Sequence, residues 1–245
     1  MARLHLQGLL PLLGSGLRWP VDLDIGAGEL VFLSGPSGSG KSLLLRAIAD
    51  LDPSAGEILI DDSPRSDLRA RQWRQRVALL PAESGWWAER VGAHFPVPPP
   101  GAAGADADPP VHPDLKALLS RLGFSTDVYG WSVARLSTGE RHRLALARLL
   151  AHTPGVLLLD EATANLDPTN RARVEAVVDD YRERFRAAVL WVSHDAEQRE
   201  RLRGRHLVIA DGALREAEGE MDASTLADLT AADLGGDPGR GQRWI

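Results

Sequence analysis

Residues Gly35, Pro36, Ser37, Gly38, Ser39, Gly40, Lys41 and Ser42 spell G-x-x-x-x-G-K-[ST] and follow the apolar run Leu30-Val31-Phe32-Leu33. A strand before and a helix after are the context in which such a loop cradles phosphate. Glycine accepts the torsions of a tight nest, so backbone N–H groups converge on phosphate oxygens. Lys41 is placed to reach the β- and γ-phosphates, and the Ser42 hydroxyl to bind Mg²⁺. The helix that starts here carries Leu44, Leu45, Ile48 and Leu51 on or near one face. Its positive end points at the anion. The chemistry is binding of a nucleoside triphosphate.

Three further clusters lie downstream. Val156-Leu157-Leu158-Leu159-Asp160-Glu161 reads as a buried strand ending in two carboxylates. Ligands of open α/β sheets bind at that edge. Asp160 there is a candidate for Mg²⁺ and Glu161 for polarising an attacking water. Leu136-Ser137-Thr138-Gly139-Glu140 precedes the amphipathic run Arg141 to Ala151. Ser137 with Glu140 three residues on is a capping box, and the same helix start, with its free amides, is also an anion site. Val192-Ser193-His194-Asp195 ends another apolar run and delivers His194 to the sheet edge. A histidine in that position alone is more often structural than catalytic.

These groups need elements to hold them. Val21, Leu23 and Ile25 alternate with Asp22 and Asp24, and Ile58 and Ile60 alternate with Leu59 and Asp61. That pattern predicts half-buried antiparallel strands flanking the loop. Val77 to Leu80, Val156 to Leu159, Val189 to Val192 and Leu207 to Ile209 are continuous apolar runs suited to two-sided burial in a parallel sheet. Helical patterns lie between them, as from Arg171 to Phe185. The stretch from Phe95 to Asp114, rich in Pro and Gly, predicts an exposed linker. Beyond about Glu216 the chain turns acidic, then glycine-rich, and reads as a tail.

Composition sets outer limits. The 245 residues suffice for one large α/β domain or two small ones, and the formal charge of −6 offers no electrostatic footprint for nucleic acid. With no cysteine, disulfides and thiolate metal sites are excluded. The first residues have no apolar h-region, and no stretch approaches the ~18 apolar residues of a membrane span. The expectation is a cytoplasmic location. Only Lys41 and Lys116 among the 28 basic residues are lysines, so lysine at 41 stands against a strong arginine bias.

The ordered set resembles the nucleotide-binding subunit of ATP-binding cassette (ABC) proteins over roughly residues 3 to 215. Gly35–Ser42 is similar to the Walker A loop, Leu136–Glu140 to the signature motif and Val156–Glu161 to the Walker B strand. Asn165-Leu166-Asp167 resembles the D-loop, His194 the switch histidine, and Asp211-Gly212 the closing turn. The resemblance implies an α/β P-loop NTPase with a RecA-like parallel sheet core, an antiparallel β-subdomain and an inserted helical subdomain. It implies a domain over 1–215, a helical subdomain over about 84–150 with a Pro/Gly-rich loop at 96–113, and a tail over 216–245. It further implies ATP with Mg²⁺, sandwiched head to tail between two cassettes. Ser137 and the Gly139 amide, next to Glu140, would then touch the γ-phosphate held by the partner's loop. Glu161 would be the base, His194 would hold the γ-phosphate and water, and Asp167 would communicate across the interface. A second copy or a related cassette subunit completes each site. A separate integral-membrane permease would supply the transport path, and the subunit would then sit at the inner face of the membrane.

The chain departs from the family pattern in three places. The glutamine expected after Val77–Leu80 is replaced by Pro81, Ala82 and Glu83, and Glu83 is the local candidate to face Mg²⁺. Thr138 stands where glycine is usual in the signature. The adenine-stacking aromatic expected upstream of the loop is missing around Leu9 to Leu13, and Trp19, the nearest aromatic, reads as core or surface packing. Trp86-Trp87, beside Glu89, Arg90 and His94, forms either an anchor patch for a partner or, with one tryptophan, part of the subdomain core. Phe95-Pro96 and the Ala-Val-Leu-Trp-Val-Ser-His-Asp strand bring the pattern nearest to bacterial exporter ATPases of the iron or metal-efflux type. The competing reading is a degenerate, regulatory cassette that binds ATP with little or no turnover. A non-transport cassette acting on DNA or ribosomes would carry a coiled-coil insertion or two tandem cassettes, and neither is seen.

Overall fold

A computed structural model describes residues 4–14, 16–96 and 114–217. The chain divides into two units at Arg215/Glu216, and the second falls almost wholly outside the described residues, as does the Pro/Gly-rich stretch 97–113.

One sheet has four antiparallel strands in the order β2-β1-β4-β5. They are β1 (Leu4–Pro11), β2 (Val21–Ile25), β4 (Ser54–Ile60) and β5 (Ser63–Pro64). In β2 the alternation of Val, Leu and Ile with Asp buries one face and exposes the other. Strand β1 carries no continuous period-two pattern in the sequence. Its Leu4 and Leu6 point inward, but the next buried residue is Leu9, because the register shifts between Leu6 and Leu9 against β2. Gly8, at φ 58°, absorbs the extra residue as a bulge and so hides the period-two signal.

The second sheet runs β10-β9-β3-β8-β7-β6. Its strands are β3 (Leu30–Ser34), β6 (Val77–Leu80), β7 (Val156–Asp160), β8 (Ala188–Val192), β9 (Arg205–Ala210) and β10 (Ala213–Glu216). The pairs β9/β3, β3/β8, β8/β7 and β7/β6 are parallel, so five C-terminal strand ends open on one edge. Asp211 and Gly212, both at positive φ, turn β9 back into β10.

Two-sided burial holds for β7 and β8 at every residue and for β3 up to Ser34. It fails for β6, the last strand of the sheet, and for β9, which alternates between buried and half-buried positions. Strand β6 ends the sheet and β9 has only the short β10 beyond it, so both lie at the sheet's margins. The central strands feed two cores. Leu30 and Phe32 pack with Leu118, Leu119, Phe124 and Leu146 on one side. Val31 and Leu33 pack with Leu44, Leu45, Ile48 and the inward residues of the antiparallel sheet on the other.

The helices are α1 (Lys41–Ile48), α2 (Ala70–Arg76), α3 (Leu115–Arg121), α4 (Thr138–Leu150), α5 (Pro168–Phe185) and α6 (Ala196–Leu202). Leu44, Leu45 and Ile48 are buried as the pattern predicts, but Leu51 lies past the end of α1 and is 45% exposed. Asp50, at φ 57°, ends the helix in a left-handed turn, and the Leu51 amide closes back on the Arg46 carbonyl at 2.9 Å. Helix α5 starts earlier than Arg171. Asp167 caps it by accepting from the Asn170 amide, and Pro168 occupies its first turn. Between β6 and α4 the described chain holds α3 and three short 3₁₀ turns, at Val91–His94, Thr126–Gly130 and Val133–Arg135.

Candidate functional site

The loop between β3 and α1 closes at the open edge of the parallel sheet. Gly35 sits at φ 143°, and a Cβ there would lie 2.6 Å from the Ile209 carbonyl oxygen of β9. Gly40, at φ 96°, precedes the first residue of α1 and supplies no side-chain cap. The first amides of α1 therefore have no side-chain partner and are oriented for an anion. The buried Ser39 hydroxyl also has no hydrogen-bond partner among the described residues, an orphan that a phosphate oxygen would satisfy.

Lys41 is 8% exposed and folds back over its own loop. Its Nζ donates to the carbonyls of Gly35 at 2.8 Å and Pro36 at 2.9 Å. Burial pulls the ammonium pKa below the ordinary lysine value, and the negative charges of Glu161 and Asp160 oppose that pull. One cation facing two carboxylates at a glycine loop fits a magnesium–triphosphate complex. Among the described residues no cluster of three or more His, Asp or Glu side chains could hold a metal by itself. Mg²⁺ commonly takes one or two carboxylates and completes its shell with water and phosphate, so the donor set fits.

Strand β7 ends in Asp160, which is buried, and the chain then turns sharply. Glu161 adopts φ 53°, and its amide donates to the Val192 carbonyl of β8 at 3.1 Å. This crossing carries Glu161 over to the strand that leads into His194. His194 Nε2 lies 3.6 Å from Glu161 Oε1, with both side chains about half exposed. The two residues line a recess with Thr163, Ala164, Arg171, Ser193 and Asp195. Arg171 pairs with Asp195 at 2.8 Å on its rim. The loop lysine and the two carboxylates thus act on one another at one sheet edge, and His194 stands against Glu161.

The other predicted residues sit apart from this group. Ser137 and Glu140 form the expected capping box at the start of α4. The Glu140 amide donates to Ser137 Oγ at 3.3 Å, while the Ser137 amide and hydroxyl donate to Glu140 Oε2 at 2.9 and 2.8 Å. Gly139 lies against Leu166, where a Cβ would meet the leucine side chain at 3.1 Å. Among the described residues no hydrogen bond or ion pair joins Ser137, Gly139 or Glu140 to the phosphate loop. Ser137→Ala removes one half of the cap and should lower stability by about 1 kcal/mol. A urea midpoint equal to that of the wild type would show that Glu140 alone suffices.

Glu83 is exposed just beyond the end of β6, on the same edge, with no ion pair among the described residues. Trp19 lies in the segment before β2 at 63% exposure, so it is surface and not core. Trp87 is 73% exposed, whereas Trp86 packs against the core. The His94 ring contacts both, with centroids 4.8 Å from Trp86 and 4.5 Å from Trp87. Arg148 lies 4.9 Å from each tryptophan ring. Thr163 and Arg171, in the recess, and Gln198, bonded to Ser193, also stand near the His194 segment, and no motif in the sequence marks them. The spacing Asp195-x-x-Gln198 announces a helix cap, formed by the Gln198 amide on Asp195 Oδ1 at 3.1 Å. Nothing local announces where the Gln198 side chain goes.

Comparison with known proteins places these observations among relatives. The family described as ABC transporter matches residues 19–164. An aliphatic sulfonates import ATP-binding protein of Nocardia farcinica is 39% identical over 197 residues, covering 80% of this chain and 72% of the relative. A probable iron export ATP-binding protein of Escherichia coli is 32% identical over 179 residues, covering 73% and 78%. The structure of a bacterial Atm1-family ABC exporter with ATP bound superposes with a TM-score of 0.71 at 20% identity. It covers 98% of this chain, which spans 43% of the exporter chain, and at that identity the likeness concerns the fold.

Proposed function

The chain belongs to the ABC transporter family, and from that premise we propose that two copies of it, or one copy and a related cassette subunit, close head to tail around ATP. The protein is an ATP-binding subunit of a transporter and an ATPase. The dimer would drive a separate integral-membrane permease and so sit on the cytoplasmic side of the membrane. Among the described residues no helix is long and apolar enough to cross a membrane.

The observation that carries this reading is the division of the site. Lys41, Asp160, Glu161 and His194 share one edge, whereas Ser137 and Gly139 stand at a separate helix start, capped within its own chain. A second cassette would bring its Ser137 and Gly139 amide to the nucleotide held on the first. Lys41 would bind the β- and γ-phosphates, with Gly35 to Ser42 supplying backbone amides. Glu161 would accept a proton from the attacking water at a carboxylate oxygen. His194, beside it, would orient that water and the γ-phosphate. When bound, Mg²⁺ would neutralise phosphate charge, with Ser42 and Asp160 as its protein ligands and Glu83 reaching it from the end of β6.

Glu83→Ala should lower Mg²⁺-dependent turnover about tenfold, with a smaller effect on ATP affinity. An unaltered rate would show that the usual glutamine has no local replacement. The exporter-type pattern around Phe95-Pro96 and His194 agrees with the Escherichia coli relative, and import proteins match as well. Either direction of transport would use the same closure of the dimer, with the substrate path in the permease.

The test is steady-state hydrolysis of Mg²⁺-ATP across a range of protein concentrations. The rate per chain should rise with concentration as pairs form. Tight ATP binding with no turnover at any concentration would favour the regulatory reading, in which the cassette senses nucleotide without consuming it.

A further inference from the structure

Glu161 and His194 are separated by 3.6 Å and both are about half exposed. At that distance and exposure the pair exerts little force on itself. Its geometry must come from what lies beneath. Gln198, in the first turn of α6, has no exposed surface at all. Its Nε2 donates to Thr163 Oγ1 at 3.0 Å and to Glu175 Oε1 at 3.1 Å. Its Oε1 accepts from Ser193 Oγ at 2.6 Å. Thr163 is two residues beyond Glu161, and Ser193 immediately precedes His194. Ser193 Oγ also accepts from the Asp195 amide at 3.1 Å, so the His194 segment is pinned on both sides.

The chemistry of the partners dictates an amide here. Glu175 is buried on α5, and Arg201 pairs with it at 2.9 Å, so its ionised carboxylate only accepts. That orients the amide, with nitrogen toward Glu175 and oxygen toward the Ser193 hydroxyl. No other uncharged side chain of this shape donates two hydrogen bonds and accepts a third. We propose that Gln198 is a positioning residue for hydrolysis: by tying Thr163, Ser193 and Glu175 together, it sets the relation between the Glu161 turn and the His194 segment. The proposal rests on the reading of Glu161 and His194 as the hydrolytic pair.

The test uses the full chain with two substitutions. Gln198→Leu keeps approximate volume and removes all three bonds. Its kcat should fall on the order of 10²-fold, as displacement of reacting groups by about 1 Å does, with ATP affinity within about twofold of wild type. Gln198→Glu keeps the acceptor but loses donors when ionised. Its carboxyl would face Glu175 of α5, with Arg201 on its own helix and Asp195, paired to Arg171, at the cap. As a carboxylate it keeps only the bond accepted from Ser193, so its kcat should also fall on the order of 10²-fold, with ATP affinity within about twofold of wild type.

A Gln198→Leu protein with wild-type kcat, or one whose kcat falls only in step with a lost ATP affinity, would overturn the proposal. Should that variant fail to fold, a Gln198→Glu protein with wild-type kcat overturns it equally. A wild-type chain without turnover would appear in the control and would remove the ATPase reading itself, and this proposal with it.

Discussion

Glu161→Gln should lower kcat on the order of 10³-fold and leave nucleotide bound. The substitution preserves the size of the side chain. It removes the carboxylate that would take the proton from water, which is the step a general base accelerates. It also deletes one of the two negative charges that face Lys41. The remaining site, with Lys41 and Asp160, is less repulsive to a triphosphate, so binding persists while cleavage stops. In a head-to-tail pair this combination should trap an ATP-bound dimer, visible as a doubled mass on gel filtration with ATP and Mg²⁺. Unchanged turnover would show that Glu161 is not the base.

Lys41→Ala should act on binding and not on chemistry. The ammonium is buried, donates to two carbonyls of its own loop and opposes two carboxylates. Truncation leaves Asp160 and Glu161 facing the phosphates without a cation, and leaves the Gly35 and Pro36 carbonyls without their donor. Truncating one member of a buried charge pair costs enough that ATP affinity should fall on the order of 10²-fold or more. The shift in melting temperature that ATP confers on the wild type should vanish with it. A titration showing near wild-type affinity would mean that the backbone amides alone hold the nucleotide.

The phosphate loop was legible because its chemistry is local: successive torsions and one lysine define it. Asp160, Glu161 and His194 were legible because each ends an apolar run, and parallel strands deliver their ends to one edge. The roles proposed for Ser137 and Gly139 rest on the family resemblance, since within one chain Ser137 serves a helix cap with Glu140. Strand β1 escaped because the bulge at Gly8 resets its alternation halfway along. Leu51 continues the apolar face of α1 in sequence, because the left-handed turn at Asp50 leaves no apolar signature. The Gln198 clamp was illegible for a different reason. Its partners Thr163 and Glu175 lie 35 and 23 residues away along the chain. Only the folded sheet makes them neighbours.

The backbone of Glu161 lies in a region that costs residues other than glycine about 1–3 kcal/mol when the surroundings impose it. Glycine would relieve that strain and would also remove the carboxylate. On the reading of Glu161 as the base, stability and turnover therefore pull in opposite directions at this position, and the strained turn is what it costs the fold to hold a carboxylate there.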